Sequence, residues 1–409
     1  MVLRALVRSR VPTLPGQFWL LFWGRLVGAV SSSMWFPFLT LYLHQQRGIP
    51  MLTVGLLFSA FSFASIFGQM GGGSLADRLG RKPVIIWSLC ANAVLVYLLG
   101  SADRLWWLAL LSFAIGLFGM MLDPAESAAV ADLAPPERRN EAYGLLRVAQ
   151  NVGIVVGPSL GGLLAVLSYQ TLFTVDAAVT FGVGLALLVW LRESRPIGQP
   201  GAAAAKPRGS YLDVLRDGPL LAFLAAYLAV TLLATQFFST LPVFLSQDRG
   251  ISTGTFGLLA ALNGMMVVTL QLPIANWAKR HEPRRVMAAG ALLYALGFGG
   301  FAPAQGIPAL AALVAVFTLG ELLTVPVASA YLAAIAPPEM RGRYMGLLGL
   351  SWTSAMGVSP VLGGAMLDAL PHLWLWVFAL ALGCLSCLAF LLLRPDQRYQ
   401  AEAEALATV

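Results

Sequence analysis

The chain has 409 residues, 58% hydrophobic and 11% charged, with a formal net charge of +7 and a mean hydropathy of +0.77. Soluble domains carry roughly 25% charged residues, so this composition excludes an ordinary soluble protein and describes one that lives in a membrane. Cys90, Cys384 and Cys387 fall within apolar runs, where a thiol packs as a small hydrophobe. His44, His281 and His372 stand at run ends or in loops with no helical pairing to a carboxylate or thiol, so no metal site and no cofactor is expected.

In chain order, the first apolar run covers 16–43, too long for a removable signal peptide and lacking a small-residue cleavage site. It is read as the first span. Further runs over 51–75, 83–100, 105–131, 141–166 and 171–191 are each long enough to cross a hydrocarbon core of about 30 Å as a helix. The stretch 192–218, RESRPIGQPGAAAAKPRGSYLDVLRDG, is basic and rich in Pro, Gly and Ala, the composition of a solvated linker. Six more runs follow over 219–246, 252–275, 285–304, 307–333, 343–369 and 372–394. The expected fold is an all-α integral membrane protein of two six-helix bundles, 1–191 and 219–409 with a short tail, joined by 192–218.

Lys and Arg collect on the cytoplasmic side of membrane proteins. Twelve spans with the N-terminus inside put 21 Lys and Arg residues in the cytoplasmic segments. The opposite loops hold three, Arg47, Arg104 and Arg249. Both termini are therefore expected in the cytoplasm. Topology and anionic lipid explain the net positive charge, and no nucleic-acid partner is required.

The two halves match each other at a fixed offset of 202 residues: DPAESAAVADLAPPERRNEAYGLL from Asp123 lies over VPVASAYLAAIAPPEMRGRYMGLL from Val325 without a gap. Pro158 falls on Pro360, and Gly161-Gly162 on Gly363-Gly364. Internal repeats of this kind mark many transporters.

Two shorter patterns carry a family resemblance. Gly73, Leu75, Asp77, Arg78, Gly80, Arg81 and Lys82 resemble the loop signature of the major facilitator superfamily. Gly153, Gly157, Pro158, Gly161 and Gly162 resemble the fifth-span run that marks its antiporters. Together with the DPAESA and LGELLTVP stretches and the chain length, they are most similar to the twelve-span drug/proton antiporters of bacteria, of the MdtH type. The resemblance implies a monomer in the inner membrane that exports compounds in exchange for protons. It also implies that Asp77 latches the cytoplasmic ends of the halves near Gly342; a solvated anchor that only sets topology is the alternative. In the second half the loop signature is degraded to IANWAKRHEPRR, with Asn276 where an acid is expected, so a gate built from both copies is expected to be lopsided.

On their own terms, the charged residues 77–82 read as a short watery loop in which Gly80 permits the turn. Gly153, Gly157 and Gly161 recur every four residues and form a smooth helix ridge for a close neighbour, with Pro158 able to bend the helix. Ordinary close packing explains the ridge equally well.

Ionisable groups at bilayer depth are rare without a partner or a task. Counting about 1.5 Å per residue, Arg25 in span one, Asp123 and Glu126 in span four and Arg147 in span five share a depth of roughly 8–12 Å from the cytoplasmic end. They are expected to form one buried network, either fixed salt bridges or a relay whose pairings change. Glu321 lies about 18 Å in, close to the midplane, with no formal charge at that depth in its half. Such a carboxyl is expected to load and release a proton as its exposure changes; a neutral Glu bonded to a backbone carbonyl is the alternative. Asp176, near the outer end of span six, reads as a helix-end group.

Trp35, Phe36, Gln236, Phe238, Asn263 and Trp352 are candidate cavity walls, mixing aromatic surface with hydrogen-bonding groups in the way that suits lipophilic or cationic compounds. Transport of a sugar, amino acid, siderophore or lysophospholipid stays open. The sequence holds no His paired with an acid, no nucleophile motif and no phosphate loop, and GGGS at 71–74 falls inside span two. An enzyme is not expected.

Overall fold

Backbone polar groups in hydrocarbon have to be satisfied within their own segment, so each long apolar run becomes a helix. The computed structural model describes residues 14–194, 216–337 and 340–393, and no strand occurs among them. Most of the linker expected over 192–218 lies outside the described residues, as do both chain ends. The helices are α1 Gly16–Trp35, α2 Met51–Leu79, α3 Arg81–Ser101, α4 Leu105–Gly119, α5 Leu122–Leu133, α6 Arg139–Leu167, α7 Tyr169–Trp190, α8 Gly218–Ser239, α9 Leu241–Arg249, α10 Thr253–Ala278, α11 Pro283–Gly299, α12 Ile307–Ile335, α13 Arg341–Ala369 and α14 Leu373–Leu392.

Three expected spans are not single α-helices, and local chemistry accounts for two of them. The first run leaves α geometry after Trp35, passing through a 3-10 turn at Phe36–Phe38 where Pro37 has no N–H to give. It ends in a π-turn over Tyr42–Gln46. The seventh breaks at Thr240, just before Pro242, for the same reason. The fourth is interrupted at Met120–Met121 between α4 and α5. By length and apolarity eleven helical stretches among the described residues can cross a membrane; α11, with 17 residues, is the short ninth.

The charged stretch 77–82 is not a loop. Helix α2 continues to Leu79 and α3 begins at Arg81, leaving Gly80 alone between them with φ 109°, a conformation that residues with a Cβ rarely adopt.

The chain divides into two compact units. The first holds Met1–Trp35, Ala64–Gly157 and Gln170–Gly201. Its core packs Phe18 and Leu21 of α1 with Ala76 of α2, Val84, Ile85 and Leu89 of α3, Ala125 and Ala129 of α5 and Leu187 of α7. Lipid offers no hydrophobic drive for helices to associate, so close approach at small residues carries the packing: a Cβ on Gly72 would lie 2.7 Å from Met121 backbone atoms. The second unit holds Phe36–Phe63, Pro158–Tyr169 and Ala202–Val409. There α11 and α12 cross closely, because Gly290, Gly297 and Gly320 leave no room for a side chain; a Cβ on Gly320 would lie 2.7 Å from the Gly290 carbonyl oxygen.

Candidate functional site

Glu321 sits at the middle of α12, one residue beyond Gly320, so the close crossing just described brings α11 against this turn. The carboxyl is partly buried. Asn263 of α10 donates from Nδ2 to Glu321 Oε2 at 3.1 Å and to Thr318 Oγ1 at 2.9 Å. Thr318 in turn donates to the Val314 carbonyl at 2.6 Å. No ion pair among the described residues involves Glu321. Tyr294 of α11 packs on Gly320 beside it, its ring Cδ2 3.1 Å from the Cβ position there. Tyr294 is fully buried, and its hydroxyl finds no partner among the described residues. One turn before Glu321 on α12, the Phe317 ring packs 4.9 Å from Phe237 and 5.1 Å from Phe298. Thr318 was within reach of sequence reasoning, being one turn from Glu321; nothing in the sequence marks Tyr294.

In the first unit, one nitrogen of Arg25 serves two acids: Nη1 is 2.5 Å from Asp123 Oδ1 and 3.0 Å from Glu126 Oε2. Asp123 and Glu126 are three residues apart on α5 and share a face, and α1 lies against that face. Glu126 is buried, whereas the Asp123 side chain is 49% exposed. One cation between two anions leaves a carboxylate in excess, so the cluster can take up a proton without stranding Arg25. Arg147 does not join the network as expected. It lies on the exposed side of α6, while Ala142, Leu146 and Ala149 turn inward. Equal depth along different helices does not guarantee equal rotation about them.

Asp176 also departs from expectation. It is fully buried in α7 rather than interfacial; Ser31 of α1 donates to Oδ1 at 2.6 Å, and Oδ2 has no partner among the described residues.

Around Gly80 the turn is held by residues the sequence did not single out. The Glu193 carboxylate accepts from the backbone N–H of Arg81 at 2.9 Å and of Lys82 at 3.1 Å, placing an anion at the N-terminus of α3 where the helix dipole favours it. Arg81 reaches Asp132 at 2.9 Å and Asp77 at 3.3 Å, and Asp77 is 72% exposed. Gly73 packs against Pro124, and Arg78 is exposed.

The glycines of this α6 run meet two different helices. Gly153 and Gly157 close on α1: a Cβ on Gly157 would lie 2.7 Å from the Val30 carbonyl oxygen. Gly162 closes on α10, its Cβ position 3.3 Å from Gly257 Cα. Pro158 and Gly161 are buried.

Of the six candidate wall residues, Asn263 reaches Glu321. Gln236 is buried as a tie between helices, donating to the Ser359 carbonyl at 3.1 Å and accepting from Thr240. Trp35 is buried 6.0 Å from the Phe173 ring. Phe36 packs edge-on against Phe58, and Phe238 against Phe237. Trp352 is partly buried.

Comparison with known proteins places this chain in a family. The Major Facilitator Superfamily model matches residues 21–256 and 235–408. The chain belongs to that superfamily, and it is a membrane transporter, not an enzyme. It is 28% identical over 357 residues to the multidrug resistance protein MdtH of Escherichia coli, covering 86% of this chain and 87% of the relative. It is 27% identical over 373 residues to a Na(+), Li(+), K(+)/H(+) antiporter of Planococcus maritimus, covering 82% and 87%. The crystal structure of the nucleoside transporter NupG superposes with a TM-score of 0.78 at 14% identity, over 92% of this chain and 98% of that one, a likeness of fold.

Proposed function

We propose that the protein exports lipophilic, cationic compounds from a bacterial cytoplasm in exchange for protons, as a monomer in the inner membrane with both termini inside. The halves 1–191 and 219–409 are the bodies that rock, 192–218 joins them, and Asp77 latches their cytoplasmic ends. The observation that carries the reading is Glu321: a carboxyl midway along a spanning helix, held by Asn263, without a cationic partner among the described residues. A charge at that depth needs neutralising. Either a proton or a positively charged compound can do so, and two ligands that compete for one carboxylate are exchanged. The surplus acid beside Arg25 is a second place where a proton can be held. The similarity to a multidrug resistance protein and to a cation/proton antiporter supports both sides of the exchange. The test is efflux of a cationic dye in inverted vesicles with an imposed pH gradient; coupling that survives Glu321→Gln overturns the assignment.

A second reading is exchange of an alkali cation for protons. The Planococcus maritimus relative and the hard oxygen donors of Glu321 and Thr318 favour it. Proton flux driven by sodium or potassium chloride alone, without any dye, decides for this reading.

A further inference from the structure

Within the second unit, two helix crossings are copies of each other. A Cβ on Gly257 of α10 would lie 2.9 Å from the Pro158 carbonyl oxygen, and one on Gly55 of α2 would lie 2.5 Å from the Pro360 carbonyl oxygen. Gly55 and Gly257 are 202 residues apart, as are Pro158 and Pro360. The internal repeat therefore carries a whole contact, with α13 meeting α2 as α6 meets α10. Gly55 and Gly257 each lie in the first two turns of their helix. The α2–α13 seam continues through Ser59, which donates to the Gly357 carbonyl at 2.7 Å. It continues in the other direction through Gly364, where a Cβ would strike the Met51 carbonyl.

The copies differ at their rim. Asp368, in the last turn of α13, spreads its carboxylate across the first turn of α2, accepting from Met51 N at 3.1 Å and from Leu52 N at 2.8 Å. The position 202 residues earlier is Val166, which offers Gly254 only a methyl contact at 3.6 Å from its Cβ position. The neighbouring acid, Asp248, is occupied by His372 at 2.7 Å. Helix-end N–H groups lack intrahelical partners, so α2 has to find other acceptors when it leaves α13.

We propose that Asp368 is a gating residue: its carboxylate clasps the first turn of α2 and holds one of the two repeated crossings shut, and its release opens that end of the transporter. The proposal concerns movement and is independent of the cargo.

The test uses the full chain in nanodiscs, with Cys90, Cys384 and Cys387 replaced by Ser and Met51→Cys as reporter, since Met51 is 1% exposed at the seam. Asp368→Ala is expected to speed labelling of that thiol by a hydrophilic maleimide by roughly fivefold, the population change that loss of one good helix cap produces. Asp368→Asn, which keeps an acceptor oxygen and guards against failure to fold, is expected to lie between the two. Melting temperature is followed in parallel. A lower melting temperature with unchanged labelling in both variants makes Asp368 a purely structural cap and overturns the proposal.

Discussion

Arg25 and Glu126 are joined at 3.0 Å through the same guanidinium nitrogen that meets Asp123 at 2.5 Å, so two acids depend on one cation. Removing that cation and removing one acid are different perturbations. Arg25→Ala strands the buried Glu126 carboxylate while Asp123 is half exposed, and is expected to lower stability by about 3 kcal/mol, the lower end for a broken buried pair. Glu126→Gln leaves one cation facing one anion and is expected to lower it far less. Thermal unfolding of the purified variants in detergent measures the difference.

Asn263 is expected to act on transport through Glu321 rather than on folding. Asn263→Ala removes the hydrogen-bond donor that the carboxyl has among the described residues and should raise the substrate concentration needed for half-maximal dye efflux. Asn263→Gln, with the same amide one methylene further out, should recover part of it. Dye efflux titrations on membranes with matched expression check both.

The glycines separate into two classes that substitution can tell apart. Gly55→Val drives side-chain atoms into the Pro360 backbone and is expected to abolish transport. Gly346→Ala, in α13 with nothing within 4 Å of its Cβ position, is expected to be silent or to raise stability by about 0.4–1 kcal/mol. Transport rate and melting temperature together distinguish them.

Ser31 and Asp176 form a pair that is costly to break and tolerable to lose. Ser31→Ala withdraws the 2.6 Å donor from a fully buried carboxyl and should destabilise by about 1–3 kcal/mol, while replacing both partners with apolar groups is close to neutral. The double variant Ser31→Ala with Asp176→Leu should therefore regain most of the loss. A double-mutant cycle on melting temperature measures the coupling.

Glu193 anchors the Gly80 turn and is expected to behave as a helix cap. Glu193→Ala should cost about 1 kcal/mol, and limited proteolysis at Arg81 and Lys82 should accelerate, since the first turn of α3 loses its acceptor.

The chain's one-dimensional properties determined its class: apolar length set the number of crossings, charge bias suggested an orientation, and the 202-residue repeat exposed the duplication. Each is a sum over neighbours in sequence, and hydrocarbon leaves a long apolar run little choice but helix. The mid-span position of Glu321 was legible for the same reason, because depth is counted along the chain. The partners of these residues were not legible. Arg147 has the right depth but the wrong rotation, Asp176 is buried by helices far away in sequence, and Glu193 reaches Arg81 from 112 residues on. Likewise the repeat predicted that Pro158 and Pro360 correspond, but it took the crossing geometry to show that each presses on a matching glycine and that only Asp368 adds a clasp. Rotation about a helix axis and the distance at which helices cross are set by packing over the whole unit, which no local pattern encodes.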